Sequence, residues 1–318
     1  MRRVFFVSLL LVLLTVVIVW ATLHFSGARQ TSSDGLDAKT MITVRRDGAV
    51  QTIPLSEWLP GVLAAEMPAS FAPEALRAQA VAARTYILNH TAHRPAAHPD
   101  ADVCDDPSCC TAWLSDTDME KKWGADSAEN RARIQSAVAD TEGEILLYAG
   151  EPIRAVFHSS SAGQTESSAA LWGDLPYLIS VTTPESESDV PNYVNSLEFT
   201  ADELRSLVLS EHPECELPEA PSEWLGAPVF DASGRVASQP IGSVTFTGAE
   251  MRTMLGLRST AYTAVYADGV FRFTTTGYGH GVGLSQYGAN VMAQQGADYR
   301  EILSHYYPGT ELCKLDTK

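Results

Sequence analysis

The amino-acid sequence predicts an α+β protein: a single N-terminal transmembrane helix, then a two-lobed extracytoplasmic domain with a substrate cleft. Three observations carry that expectation. An apolar run from Val4 to Phe25 is broken only by Ser8, Thr15, Thr22 and His24. After it, helical and hairpin patterns fall in separate groups rather than in βαβ alternation. One helical pattern carries a carboxylate on its apolar stripe, where the interior or a cleft would meet it.

The elements follow in chain order. About 20 apolar residues suffice to cross a bilayer, and Val4–Phe25 supplies them. Arg2 and Arg3 precede the run and place the short end in the cytoplasm by the positive-inside rule. The rival is a cleaved signal peptide cut near Ser26-Gly27-Ala28, but the run exceeds the usual apolar core of about 7–15 residues. Both readings export the remainder. Residues 1–25 are thus assigned to a cytoplasmic tip and anchor, 26–40 to a polar flexible linker, and 41–318 to the functional domain.

Within that domain, Met41–Val44 and Gln51–Leu55 flank Arg45-Arg46-Asp47-Gly48, and Asp-Gly is a hairpin signal. A helix is expected from Leu55 to Met67, ended by Pro68. A second starts at Pro73, with Glu74 at its positive end, and runs to about Asn89. Its alanines (Ala75, Ala78, Ala80, Ala82, Ala83) allow another helix close approach. Residues 90–115 lack periodicity and read as a loop that something must hold. A helix over 126–141 and a second hairpin around Ala149-Gly150-Glu151-Pro152 follow, with strands at 144–148 and 153–157. Residues 185–221 read as a surface excursion with one short helical stretch. Strands are expected at 244–246 and 270–275, and a last helix from Arg300 to Tyr307 stops at Pro308-Gly309. No internal repeat is present.

Composition narrows the function. The chain has 318 residues, enough for one large or two small domains, with 45% hydrophobic and 19% charged residues. A formal net charge of -17 repels phosphate backbones and anionic lipid, so no nucleic-acid partner is expected. A neutral or weakly charged polymer is the easier partner. There are five cysteines, an odd number that does not close into a disulfide framework.

Leu55, Trp58, Leu59, Val62 and Leu63 follow the i, i+3, i+4, i+7, i+8 rule, and the next position of that stripe is Glu66. Burial raises a carboxyl pKa, which suits a general acid. A Glu at a fraying helix end, turned to water, is the plain alternative. Arg84 lies 18 residues on. It either meets Glu66 or substrate oxygens across a helical hairpin, or sits on the surface like Arg77.

The stretch Trp58-Leu59-Pro60-Gly61-Val62-Leu63-Ala64-Ala65-Glu66-Met67-Pro68, followed by Glu74-Ala75-Leu76-Arg77-Ala78-Gln79-Ala80-Val81-Ala82-Ala83-Arg84-Thr85-Tyr86, closely resembles the signature of the stage II sporulation protein D family. Three later blocks agree in order: Phe157 to Gly163, Gly277 to Ala289, and His305 to Thr310. The resemblance runs from about residue 41 to the C-terminus. It implies a lytic transglycosylase acting on peptidoglycan glycan strands that lack stem peptides, during engulfment in endospore formation. Its partners would be an amidase that strips those peptides and a membrane protein that gathers both. Glu66 matches the family's catalytic glutamate. Such an enzyme manages with one carboxylate, whereas glycoside hydrolysis usually needs two.

Substrate contacts are expected from the matching blocks: Arg84, Tyr86, His158, Ser159, Ser160, Tyr278, His280, Ser285, Gln286 and Tyr287. Glycines let backbone approach a ligand, and the polar residues between them suit sugar hydroxyls. Ser285 is not a hydrolase nucleophile, since Gly283-Leu284-Ser285-Gln286-Tyr287 lacks the second glycine of an elbow. His158 beside Ser159, Ser160 and Ser161 is no triad by adjacency alone. Trp172 and Tyr177 either stack on sugars or fill the core. A noncatalytic wall-binding module that enhances an amidase is the rival function.

His98, Cys104, Cys109 and Cys110 offer four metal ligands, and tetrahedral Cys/His sets suit structural zinc. Some members resembling this protein hold zinc in this loop through two Cys and two His; here Cys109 stands where the second His is expected. His93 could replace His98. A Cys104–Cys110 disulfide is the competing expectation for an exported domain.

Overall fold

A computed structural model describes residues 35–315. The predicted membrane span lies outside the described residues. Among the described residues no helix is long and apolar enough to cross a membrane.

The elements in order are α1 (Leu36–Lys39), β1 (Met41–Arg46), β2 (Ala49–Pro54), α2 (Leu55–Glu66), α3 (Pro73–Ala92), β3 (Val103–Cys104), α4 (Asp116–Trp123), α5 (Ser127–Asp140), β4 (Glu144–Tyr148), β5 (Glu151–Pro152) and β6 (Phe157–His158). Then come β7 (Val194–Thr200), α6 (Ala201–Glu211), β8 (Val229–Phe230), β9 (Val236–Ile241), β10 (Val244–Thr247), α7 (Gly248–Leu255), β11 (Tyr262–Ala267), β12 (Val270–Thr276), β13 (Leu284–Ser285), α8 (Gln286–Gln294), α9 (Tyr299–Tyr306) and β14 (Glu311–Lys314). The fold is α+β, as its pattern predicts.

Two hydrophobic clusters organise it. The first surrounds α3, which packs against α2, α5, α8 and α9. Ala75, Ala78, Ala80, Ala82 and Ala83 of α3 are fully buried, and their small side chains admit helices on several faces. The predicted α2 stripe (Leu55, Trp58, Leu59, Val62, Leu63) is wholly buried beside it. The second cluster joins α6 and α7 to the sheets β11-β12-β7 and β10-β9-β8.

Both predicted hairpins turn where expected. Asp47 and Gly48 have φ of 51° and 78°, and Ala149 and Gly150 have 51° and 83°, the left-handed pairs that two-residue hairpin turns require. The second hairpin is shorter than predicted, because β5 ends at Pro152. After one more bond, from the Ile153 N–H to the Leu146 carbonyl at 3.1 Å, the chain leaves the sheet, so 153–156 are not strand and only Phe157–His158 pairs, with β13.

Two expectations need correction. The linker does not extend to residue 40: Leu36–Lys39 is helical and Asp37 is buried. Residues 185–221 are not merely a surface excursion. Val194–Thr200 is an edge strand whose alternating half-buried pattern pairs along β12.

Candidate active site

Glu66 ends α2, where Met67 turns extended and Pro68 prevents continuation. Its side chain is half-buried. Oε1 accepts from the Ala112 N–H at 3.1 Å and Oε2 from Gln286 Nε2 at 3.3 Å. Burial raises the Glu66 pKa above the ordinary carboxylate range, against smaller opposite pulls from the Ala112 N–H, Gln286 and Lys122. The carboxyl on the apolar stripe therefore meets a cleft, not open solvent.

That cleft has two parts. A cavity of about 590 Å³ and a second of about 480 Å³ share Glu66, Ser159 and Gln286 in their walls. Glu66 is the carboxylate residue common to both, and no other Asp or Glu lines either among the described residues. Three chain regions converge here: the end of α2, the β6 turn with Ser159, and the start of α8 with Gln286. The parallel pairing of Leu284–Ser285 with Phe157–His158 brings the last two together.

Tyr86, His158, Ser159, Tyr278, His280 and Gln286 line the larger cavity. Tyr287 lines the smaller one, its ring edge-on to Phe71 at 4.9 Å. Tyr86 is mostly buried, its ring 4.2 Å from that of His90. His158 is buried; its Nε2 pairs with Ser161 Oγ at 2.6 Å and its Nδ1 with the Val282 carbonyl at 3.2 Å. Burial lowers the His158 pKa well below the ordinary range, so the ring is neutral. His280 falls to about 4, through burial first and then Arg252, Arg235 and Arg154. Its Nδ1 accepts from the Val282 N–H at 3.0 Å. Gly279, with φ 115°, lies over His158, and a Cβ there would stand 2.7 Å from the His158 Cβ. The glycine density of 277–283 is thus what lets this strand end pack onto the β6 turn.

Three predicted contacts lie elsewhere. Arg84 is fully buried and reaches neither Glu66 nor either cavity. Its Nε donates to Asp37 at 2.9 Å and its Nη2 at 2.7 Å, with the Glu144 and Val138 carbonyls completing its set. Burying a guanidinium is costly unless an anion and acceptors surround it, and α1 supplies the anion. Ser285 is buried, donates to Glu185 and caps α8 through the Gly288 N–H. Ser160 is buried, its backbone exchanging two hydrogen bonds with Tyr278. Of the two weighed aromatics, Trp172 is 42% exposed in the larger cavity while Tyr177 is core. Sequence reasoning missed Arg154, Arg252 and Lys122, which line these cavities. Nothing in their local sequence marks them, since each reaches the site through long-range packing.

His98, Cys104, Cys109 and Cys110 converge, with their ligand atoms within 4.8 Å of one another. His98 Nε2 lies 3.2 Å from Cys110 Sγ, while Nδ1 faces the Ala101 carbonyl at 3.1 Å. That carbonyl fixes the tautomer and turns the Nε2 lone pair toward the thiols, as second partners of metal-bound imidazoles do. Cys109 and Cys110 are held by N–H bonds to the Asp106 carbonyl at 3.0 and 2.8 Å. All five cysteines are free in this structure, which shows no Cys104–Cys110 bond. His93 is exposed and apart from the cluster. The set could hold a metal ion.

Comparison with known proteins places this geometry. A family model described as "Stage II sporulation protein" (SpoIID) matches residues 45–148. The chain is 38% identical over 272 residues to stage II sporulation protein D of Bacillus amyloliquefaciens, covering 85% of this chain and 77% of that one. It is 37% identical to the namesake of Bacillus subtilis (strain 168), over 84% and 77% of the two chains. It is also 30% identical to the amidase enhancer of Bacillus subtilis (strain 168), over 80% of this chain but 40% of that protein. With that identity over most of both chains, and with the Phe157 to Gly163 and Gly277 to Ala289 blocks meeting beside Glu66, the protein belongs to the stage II sporulation protein D family.

Proposed function

We propose that this protein is a lytic transglycosylase that cleaves denuded peptidoglycan strands between N-acetylmuramic acid and N-acetylglucosamine. One observation carries the reading: Glu66, with its proton affinity raised, is the lone carboxylate among the described residues where the two cavities meet. Sugar units on either side of the scissile bond would occupy the two cavities. Hydrolysis by the usual route needs a second carboxylate, as base or nucleophile, and neither cavity's wall supplies one among the described residues.

The step needs only Glu66. Its carboxyl proton passes to the bridging oxygen as the bond from the muramyl anomeric carbon breaks. The resulting carboxylate accepts the proton of the muramyl 6-hydroxyl, whose oxygen bonds to that carbon. The product is a 1,6-anhydro sugar, with no water consumed. Because the nucleophile belongs to the same sugar, positioning supplies much of the rate. Ser159, Gln286 and the exposed faces of Trp172 and Tyr278 are the groups placed to position it.

Zinc is the metal proposed for His98, Cys104, Cys109 and Cys110. It would supply no chemistry there: four protein ligands leave no open position. The loop it would clamp carries Ala112, whose N–H holds Glu66. We place the domain outside the cell membrane, anchored by residues 4–25, in engulfment during endospore formation beside an amidase and a membrane scaffold protein. The two-lobed arrangement, with the cleft between the lobes, belongs to the same reading.

The amidase enhancer's similarity supports a second reading, a noncatalytic module that binds the wall. Incubating the purified protein with denuded strands separates the two: anhydro-ended fragments support the enzyme, and binding without cleavage supports the module.

A further inference from the structure

The larger cavity holds positive charge that the reaction above does not use. Arg154 and Arg252 both line it. Neither makes an ion pair among the described residues, although the chain has 39 acidic residues. Elsewhere Arg77, Arg84 and Arg272 each pair with a carboxylate. Arg252 Nε is buried with no acceptor, an unfavourable state unless a ligand supplies one. Arg154 sits over Trp172, its Cζ 4.8 Å from the ring centroid. A cation held by an aromatic ring rather than by a carboxylate keeps N–H donors for a ligand. Both arginines are close enough to depress the proton affinity of His280, so the two charges act on one region. A cationic pocket in so acidic a chain selects an anion.

We propose that Arg154 and Arg252 form a carboxylate-binding site whose ligand is the lactyl carboxylate of a muramic acid residue already stripped of its stem peptide. This rests on the glycan-strand reading of the site. In a peptide-bearing strand that carboxyl is an uncharged amide; hydrolysis of the amide bond creates the anion. The planar guanidinium matches a carboxylate through paired N–H donors. Trp172 and Tyr278, 42% and 46% exposed, offer apolar faces to the same sugar. The site would therefore read the state of the strand, accepting the product of an amide-cleaving reaction and rejecting its substrate.

The test is equilibrium binding to the folded Glu66→Gln protein, which removes turnover from the measurement. The probes are purified strands of one length, with lactyl carboxylates either free or converted to methylamides. The free form is expected to bind roughly 10- to 100-fold tighter, the range for hydrogen bonds to a charged group. Adding Arg252→Gln or Arg154→Gln should bring that ratio toward one, and Arg252→Lys should restore part of it. Equal binding of the two strands, or an undiminished ratio in a folded Gln variant, would overturn the site; so would failure to bind either strand. A variant that does not fold leaves the comparison of free and methylamide strands on the parent protein decisive. Absence of cleavage by the native protein, with the binding ratio intact, would sink the transglycosylase reading alone.

Discussion

Glu66 and Arg84 are both ionisable residues on helical apolar faces, yet the structure uses them in opposite ways. Glu66 stands at a helix end where a cavity begins, and burial lifts its proton affinity. A raised carboxyl pKa makes the protonated form the one the fold prefers. Stability from that group is present below the unfolded value near 4.5 and is lost as pH rises through the raised folded value. Glu66→Gln should therefore be at least as stable as the native protein at neutral pH, while cleavage falls by about 10²–10⁴. Thermal melting across pH, beside turnover, checks both halves; a destabilised Gln variant would contradict them. Arg84 makes no such trade. Its guanidinium is neutralised by Asp37 deep in the first core. Arg84→Met should cost about 3–5 kcal/mol by stranding a buried carboxylate, and Asp37→Leu added to it should return part of that loss. Chemical denaturation of the single and double variants tests this, and an Arg84→Met protein of native stability would refute it.

At the scale of elements, the helices of the first core were legible because their apolar stripes and proline boundaries are local signals. Pro73 opens α3 and Pro68 follows the end of α2, as read. The two-residue turns at Asp47-Gly48 and Ala149-Gly150 were legible for the same reason. Helix α1 was not, because Leu36–Lys39 is held by the buried Asp37–Arg84 pair rather than by its own four residues. Strand β7 was hidden because its burial pattern comes from pairing with β12, whose partners lie 70–82 residues later in the chain. In the site, the four thiol and imidazole ligands were visible from spacing, whereas Arg154, Arg252 and Lys122 arrive through tertiary packing. The metal loop has its own test. Protein purified without chelator should carry one zinc per chain. Cys104→Ser or chelation should remove it, lower the melting temperature and slow cleavage through the lost Ala112 contact to Glu66. A metal-free native protein with unchanged melting would contradict that assignment.

For the molecule as a whole, a chain of net charge -17 builds a cleft whose walls carry Arg154, Arg252 and Lys122 against one carboxylate, Glu66, among the described residues. That contrast suits a polymer with sparse, newly exposed carboxylates rather than a polyphosphate. Export is a further whole-chain expectation: protease added to intact protoplasts should digest the domain, and full protection would reverse the orientation. Most of these outcomes bear on how the cleft is built or where it faces; one bears directly on what it does. The purified protein should be incubated with denuded glycan strands in isotopically labelled water, and the new ends analysed by mass spectrometry. The account predicts 1,6-anhydromuramyl ends with no solvent oxygen incorporated, absent when Glu66→Gln replaces the native protein. Reducing ends carrying labelled oxygen, or intact strands with the folded native protein, would contradict it.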